Sequence, residues 1–538
     1  MTTAERQPVA FTVSAPGTGY SANGTAQYGE VATFAFDASE YALSNTSDRT
    51  KAIIVRTDSH CELTVYAGDL MTGAGDSLLA LSKQPDLGPN NYEYIVASYS
   101  TVPNALSLSA VAIIAQYDDT QLSISPSPHN MFGNALIQPN LELQEGETFL
   151  IESSNDLTGL LVASNKPLAV LFCDPFIEQV PPVFTWGRQF ATAPLKGRQA
   201  YDVFRVVASE DSTEVMVTCS SSSTANPERV TNMYQLNERD FAEFNVSSNQ
   251  YCFIQGSSNI LVLQYSAGFH ADNTAGDPTM ITVPALTQYC NHYSLPTIGP
   301  SDGSINFTHQ MNIFIPTPFY QLDQIFLNNQ PLSSYNLNFT VIEQDGAPQV
   351  YASQVDLTEG VHTLYHTGPA ATLGVVMYGF APDTSYGHPG GLRLTQGAVC
   401  TGHTPHHTIH VCAQCLYIKH CSVSAQLSAA CGRAMVSCPQ ISGLSSHMHP
   451  QLLPLTLHRQ IPVTPTHRPT PNLHTLHTPA ALSIFIAFFI IILVQSSFCM
   501  QTSMNVQLLS LLVMPMLPAP THLGPSHVLA TRGTAETE

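Results

Sequence analysis

The feature that most constrains the fold is an internal repeat with a period of about 93 residues. The stretch "VAIIAQYDDTQLSI" at 111–124 aligns without gaps with "FRVVASEDSTEVMV" at 204–217. Each stretch predicts a strand, a tight turn and a second strand, because Asp can hydrogen-bond the turn backbone and the β-branched Thr favours a strand start. The chain is therefore built from similar units in series.

The match continues downstream at nearly the same offset. "LQEGE" at 143–147 aligns with "LNERD" at 236–240, and "LVASNKPLAVLF" at 161–172 aligns with "FIQGSSNILVLQ" at 253–264. The second pair predicts a hairpin with its turn at 165–167 or 257–259. Looser copies lie at 52–68 and 359–380.

An Asp-led, proline-containing connector that ends in aromatic residues follows each second hairpin. The three connectors are Asp76–Tyr94, Cys173–Phe190 and Asp277–Tyr293. The middle one, "CDPFIEQVPPVFTWGRQF", holds Trp186, the only tryptophan of the chain. We expect Trp186 to fill the junction between neighbouring β units, with Pro181 and Pro182 fixing its approach and Gly187 its exit.

An all-β fold follows from the repeat and from composition. Only 11% of the residues are charged, 38 are proline, and β-branched and aromatic residues are frequent. A unit of this length with five or six short strands cannot bury both faces alone, so neighbouring units must stack. Ring closure into a β-propeller is the favoured architecture; a row of stacked β-sandwich modules is the alternative.

Charge excludes one class of partner and divides the chain. The formal net charge is -21, which disfavours binding to nucleic-acid phosphates. Residues 1–399 hold 13 basic and 37 acidic residues, a net of 13 - 37 = -24. Residues 400–538 hold two acids, 13 of the 21 histidines and seven of the 12 cysteines.

Five segments follow from these patterns: an N-terminal extension at 1–29, the repeat domain at 30–399, a Cys/His/Pro-rich disordered linker at 400–479, a candidate transmembrane helix at 480–500, and a tail at 501–538. The run at 480–500 has 21 residues and would span about 31 Å as a helix. The tail has two open origins, a genuine extension or translated non-coding sequence. The N-terminus shows no apolar core of a secretory signal.

Several of these motifs resemble the N-terminal domain of IgGFc-binding proteins. The similar stretches are 156–170, 173–195, 202–215, "DPTMITVPALTQY" at 277–289 and "SYGHPGGLRL" at 385–394, and the resemblance covers roughly residues 30–395. It implies a secreted or cell-surface module of mucus-type or adhesive glycoproteins without catalytic activity. Fc binding is implied only by the family name.

The resemblance assigns a structural motif to the Trp186 connector. Its members are Cys173, Asp174, Glu178, Gln179, Pro181, Pro182, Trp186 and Gly187. The family's connector carries a second cysteine shortly before the Cys-Asp pair. That cysteine is missing here, which puts the family's local disulfide in doubt.

Cysteines and sequons give further candidate sites. Cys219 and Cys252 flank the middle of one repeat and are a candidate disulfide in an oxidising compartment. Two of Cys61, Cys173 and Cys290 could pair, or all three could be small buried residues. Asn-x-Ser/Thr sequons, which are glycosylation candidates in a secreted chain, occur at Asn23, Asn45, Asn245, Asn306 and Asn338.

No metal, cofactor or catalytic motif stands out. "CAQC" at 412–415 has zinc-like spacing, but no second ligand pair follows at finger spacing. Asp174 and Glu178 could act as an acid–base pair. Alternatively, Asp174 caps the turn and Glu178 pairs with a basic residue such as Arg188, which the recurrence of Asp76 and Asp277 in the other connectors favours.

The expected function is therefore a non-enzymatic extracellular or plasma-membrane module that binds proteins or glycoproteins in mucus or at the cell surface. The alternatives are a structural gel component that self-associates through disulfides and a propeller-type glycosidase that uses Asp174 and Glu178. No cofactor and no nucleic-acid partner are expected.

Overall fold

The structure is a computed structural model, and it describes residues 1–3, 7–41, 43, 49–57, 63–71, 74–84, 92–99, 109–128, 140–173, 176–221, 229–300, 303–394 and 407–412. All of them lie in one compact unit, Met1–Val423. They are almost entirely β-structure, as expected, with the short helices α1 (Ala38–Tyr41) and α2 (Phe269–Asp272).

An N-terminal unit precedes three repeated modules. Its strands are β1 (Val9–Ala15), β2 (Tyr20–Ala26), β3 (Ala52–Thr57), β4 (Val65–Met71) and β5 (Ala74–Ala80). β1 alternates buried and more exposed residues, with Val9, Phe11, Val13 and Ala15 inward. That period of two is typical of a strand with one face on the core.

The first module contains eight strands in two sheets. They are β6 (Tyr92–Ile95), β7 (Ser109–Ala115), β8 (Thr120–Ser125), β9 (Leu141–Leu143), β10 (Thr148–Ser153), β11 (Leu161–Ser164), β12 (Leu168–Cys173) and β13 (Glu178–Val180). One sheet has the order β6-β11-β8-β9 and the other β10-β7-β12-β13. All pairings are antiparallel.

The second module repeats this order with two strands fused. Its strands are β14 (Gly187–Thr192), β15 (Tyr201–Ala208), β16 (Thr213–Ser221), β17 (Arg229–Leu236), β18 (Phe241–Ser247), β19 (Gln250–Ser266) and β20 (Met280–Thr282). The 17-residue β19 occupies the positions that β11 and β12 have in the first module. The two sheets therefore merge into one seven-stranded sheet.

The third module has the same order again, with one extra edge strand, β25. Its strands are β21 (His292–Pro296), β22 (Thr308–Pro316), β23 (Ile325–Leu327), β24 (Gln330–Pro331), β25 (Thr340–Ile342), β26 (Val350–Leu357), β27 (Val361–His366), β28 (Gly374–Ala381) and β29 (Thr384–Pro389). Its sheets are β21-β27-β23-β24 and β25-β26-β22-β28-β29.

The repeat also holds at the level of single hydrogen bonds. The Asp118 carboxylate accepts a bond from the Glu145 amide at 3.0 Å, and Asp211 accepts one from the Glu238 amide at 3.0 Å. The tight turns place Asp119 and Ser212 in the left-handed region, at φ 51° and 55°. Equivalent side chains thus fix equivalent turns 93 residues apart (211 - 118).

The predicted second hairpin is wrong. β11 and β12 lie in different sheets, and in the second module the chain runs through 257–259 as the single strand β19. The Asn165 side chain accepts a bond from the Gln121 amide, and Ser257 accepts the equivalent one from Glu214. These side chains accept hydrogen bonds from the neighbouring strand and do not form a hairpin turn.

Neighbouring units stack through strands that are buried on both faces. Along β7, Ala110, Ala112 and Ile114 pack into the core of the N-terminal unit. The alternate residues, Val111, Ile113 and Ala115, pack into the core of the first module. A continuous apolar run is expected of such a strand, and it explains why one module does not suffice.

The described residues form sandwich-like modules, so the propeller expectation is wrong. They contain no closed ring of single-sheet blades; each module folds its strands into two packed layers, or one half-closed sheet in the second module. In the first and third modules the chain crosses between the two sheets five times, which the linear pattern of strands and turns does not reveal.

One part of the predicted disordered linker is also a strand. Residues His407–Cys412 form β30, which pairs with β3 in the sheet β2-β1-β3-β30. The candidate transmembrane helix at 480–500 and the tail at 501–538 lie outside the described residues. Within the described ranges, no helix is long and apolar enough to cross a membrane.

Candidate functional site

The Trp186 connector is a buried structural element. A 3-10 helix at Val183–Thr185 follows Pro182, and the Trp186 indole Nε1 donates to the Pro181 carbonyl at 2.9 Å. Trp186 is 5% exposed and packs in a core that combines residues of the first module with residues of the second, such as Val207 and Leu263. It therefore lies at the junction between two modules.

Gly187 is required by the close approach of the next connector. A Cβ at Gly187 would lie 2.3 Å from the Cβ of Ala285. The side chain of Gln288 also donates to the Thr185 carbonyl at 2.9 Å. The second module places a 3-10 helix at Leu286–Gln288, followed by Tyr289, so the two connectors are alike and pack on each other.

The three connectors meet at the Asp76 carboxyl group, which is buried in β5. One oxygen accepts bonds from the Ser77 amide at 2.9 Å and from the Thr279 hydroxyl. The other accepts bonds from the amides of Ile177 and Met280, each at 3.2 Å. Asp76 thus joins the N-terminal unit to the first and second modules.

Glu178 lies beside Asp76 and is equally buried. Its carboxyl accepts a bond from the Thr282 amide at 2.9 Å, and the neighbouring Gln179 accepts one from the Leu81 amide at 2.8 Å. Burial raises the pKa of Asp76 to about 8, against four donors that lower it, and burial raises that of Glu178 well above 4.5. Neither carboxyl faces solvent.

The predicted partner of Glu178 is wrong. Arg188 instead donates to the Asn259 side chain at 3.4 Å, and Glu178 binds backbone. Asp174 lies outside the described residues. A glycosidase acid must reach a sugar, whereas Glu178 is 1% exposed; the connector therefore offers no acid–base site at that residue.

The cysteine candidates occupy two kinds of position. Cys219 in β16 and Cys252 in β19 are direct cross-strand neighbours and form a disulfide. Cys173 and Cys290 are buried and also disulfide-bonded, so they are not simply small core residues. Cys61 lies outside the described residues.

The sequons are accessible wherever the structure describes them. Asn23, Asn245, Asn306 and Asn338 are all exposed, and Asn45 lies outside the described residues. The remaining cysteines and histidines of the zinc-like pattern, other than the backbone of His410 and Cys412, also lie outside. Among the residues that are described, no cluster of His, Cys, Asp and Glu could hold a metal ion.

An ion cluster that the sequence analysis missed joins the first two modules. Arg205 in β15 is 4% exposed and its guanidinium lies 2.7 Å from Asp156 and 2.6 Å from Glu243. Tyr99 and Phe241 cover its two sides, with ring centroids 4.9 and 4.5 Å away. A lone arginine in the apolar run "DVFRVVA" was the available signal, since a buried arginine usually has an acidic partner.

An open groove on the first module is a candidate for ligand binding. It has a volume of about 540 Å³ and lies over β8, β9 and β11. Amide, hydroxyl and carboxylate side chains dominate its lining, which includes Gln121, Ser123, Asn140, Glu142, Ala163 and Asn165. Enclosed sites for small ligands are mostly apolar, so this groove suits hydrogen bonding to a macromolecular surface.

Comparison with known proteins relates this chain to one family. The family model described as IgGFc binding protein matches residues 86–379. IgGFc-binding protein of Homo sapiens is 22% identical over 255 residues, which cover 45% of this chain and 4% of the human protein. The chain thus matches a small part of that relative's length. No solved structure matches.

The matched segment includes the whole Trp186 connector and most of the three modules. It starts later than the resemblance at 30–395 that the motifs predicted. Because the family model spans more than half of the 538 residues, this chain belongs to the IgGFc-binding protein family.

Proposed function

We propose that the chain is a non-enzymatic extracellular binding module whose groove on the first module receives a protein or glycoprotein partner. The observation that carries this proposal is the contrast between the two candidate sites. The Trp186 connector makes buried structural contacts, whereas the groove is open and rich in hydrogen-bonding side chains. Binding residues commonly lie on a surface that a rigid scaffold positions.

The family supports the class of partner. The human relative is named as a binder of IgG Fc, so Fc is one specific glycoprotein to test, alongside mucus and cell-surface glycoproteins. The paired cysteines suit an oxidising extracellular compartment, and the exposed sequons suit glycosylation there. A secreted or surface-attached location is therefore part of the proposal.

The test is a pull-down with the full chain on mucus extract, intact cell surfaces and immobilised Fc. We expect wild type to retain a component, and Glu142→Lys and Ala163→Arg, which place charge or bulk in the groove, to weaken retention at least about tenfold. Glu359→Lys, an exposed site on the third module, is the matched control and should bind like wild type. Absence of any retained component, or equal retention by the groove variants, contradicts the proposal.

A structural gel component is the second candidate function. Pairing of Cys173, Cys219, Cys252 and Cys290 in disulfides leaves those four cysteines unavailable for links between copies. Non-reducing electrophoresis separates the candidates, because a covalent gel component forms reducible oligomers and the binding module does not.

A further inference from the structure

The N-terminal unit packs directly against the third module, although two modules separate them in the sequence. The Tyr66 hydroxyl in β4 donates to the Gly390 carbonyl at 2.8 Å. The Ser77 hydroxyl in β5 donates to the Gly387 carbonyl at 3.4 Å. Gly387 lies in β29, and Gly390 directly follows that strand. We call this contact between β29 and the β4–β5 hairpin the β29 interface.

His388 is a fully buried histidine at the β29 interface. Its ring centroid lies 4.5 Å from that of Tyr66 in the N-terminal unit and 6.0 Å from that of Tyr386 in β29. The Nδ1 atom donates to the Pro389 carbonyl at 3.0 Å, whereas Nε2 is buried and has no hydrogen-bond partner among the described residues. A second proton, on Nε2, would therefore create a buried cation whose new N–H group lacks an acceptor.

A second histidine contacts the same tyrosine. His309 in β22 is 7% exposed, and its Nδ1 lies 2.8 Å from the Tyr386 hydroxyl oxygen. Burial lowers the pKa of His309, and the nearby His362 acts in the same direction, against the Glu359 carboxylate. Protonation of both His309 and His388 would place like charges on two rings that share one neighbour, which disfavours the charged forms further.

No carboxylate in the described part of the chain compensates a charge on His388. Burial lowers the pKa of His388 from 6.5 to about 4, and only the bond to the Pro389 carbonyl acts against it. The Asp76 carboxyl in β5 is occupied by the four donors described above. The ionisable side chains on β29, on the elements packed against it and beside them are Tyr66, Asp76, Asp277, His309, Tyr378 and Tyr386.

We propose that the β29 interface is an acid-sensitive contact, in which protonation of His388 separates β4 from β29 while the three modules stay folded. The β4–β5 hairpin forms a two-stranded sheet of its own, so no β-ladder among the described strands ties it to β29. Asp76 continues to hold β5 to the first and second modules. The opening is therefore local, and it does not rest on the proposed groove function.

The direction of the pH dependence follows from the lowered pKa of His388. Above about pH 6.5 the histidine is neutral in the closed and the open state, and the interface has its full stability. As the pH falls towards about 4, the open state binds a proton that the closed state does not bind. With pKa values of 6.5 and about 4, the opening equilibrium should rise about 30-fold between about pH 7.5 and about pH 5.

The test is amide hydrogen exchange of the full chain by mass spectrometry at both pH values, corrected for the intrinsic exchange rate. Peptides that cover β4 and β29 should show the rise of about 30-fold, whereas those that cover β16 and β19 should change less than about threefold. His388→Phe keeps an aromatic ring beside Tyr66, and His388→Gln keeps a donor for the Pro389 carbonyl. Neither replacement titrates, so both variants should reduce the rise at β4 and β29 to less than about threefold.

His270→Gln is the matched control, because it removes an exposed histidine of α2 and should leave the 30-fold rise unchanged. A variant that is merely destabilised exchanges faster at both pH values, so the ratio between them decides. Equal exchange of wild-type β4 and β29 at the two pH values, or an undiminished rise in both His388 variants, overturns the proposal. An equal rise in β16 and β19 also overturns it, because acid would then unfold the second module as well.

Discussion

Removal of the Cys219–Cys252 disulfide should cost a calculable amount of stability. The bond closes a loop with a sequence separation of 33. Loop-closure entropy for that length is about 12 cal/mol/K, which corresponds to about 3.7 kcal/mol at 25 °C. Both residues are at least 92% buried, so Cys219→Ala/Cys252→Ala avoids placing a hydroxyl in the core.

The single tryptophan makes the measurement direct. Trp186 packs against strands of the second module and its fluorescence reports their exposure to water during urea unfolding. We expect the double variant to lose about 3–4 kcal/mol in the free energy of unfolding by linear extrapolation. Ser220→Ala is the control, because Ser220 follows Cys219 in β16 but takes part in no disulfide. It should lower the free energy of unfolding by less than about 1 kcal/mol.

An unchanged urea midpoint and slope in the double variant would refute this reasoning. Peptide mapping of the variant must show that Cys173 and Cys290 remain bonded, since their loss would add its own effect. A loss of stability shared equally by Ser220→Ala would also contradict it, because the cause would then be local packing in β16.

Three further predictions follow from the described contacts. Arg205→Met should lower the free energy of unfolding by about 3 kcal/mol in the Trp186 assay, because it leaves Asp156 and Glu243 without their cation. Arg56→Met, at an exposed pair with Glu145, is the control and should lower it by less than about 1 kcal/mol. Equal losses would contradict a buried role for Arg205. Burial raises the pKa of Asp202 from 3.8 to about 7, against Gln264 and the Leu195 amide. The contribution of Asp202 to the free energy of unfolding is therefore fully present below about pH 3.8 and declines by about 4 kcal/mol as the pH rises to about 7. Asp202→Asn should remove that component, so parallel pH profiles of the two proteins would contradict it. When the chain is expressed in a secreting host, N-glycosidase treatment should lower its mass. Each of Asn23→Gln, Asn245→Gln, Asn306→Gln and Asn338→Gln should lower the mass of the untreated chain by one glycan. If none of the four variants is lighter than wild type, these exposed residues are not glycosylated.

The sequence by itself determined the repeat, the all-β class and the role of Trp186. These depend on local chemistry, since a turn that needs Asp118 or Asp211 at one position leaves the same letters in each copy. The Cys219–Cys252 pairing was also proposed from the sequence, because the two cysteines flank the middle of one repeat, and the structure places them opposite each other on the neighbouring strands β16 and β19.

Only the tertiary structure decided how the strands share sheets and which carboxyl groups are buried. A run such as 161–172 is compatible with a hairpin or with a crossing between sheets, and the choice depends on distant partners such as Gln121. Likewise, Glu178 found its partner in Thr282, 104 residues away, and not in the nearby Arg188. Such contacts depend on how the modules stack, which side-chain spacing along the chain does not encode.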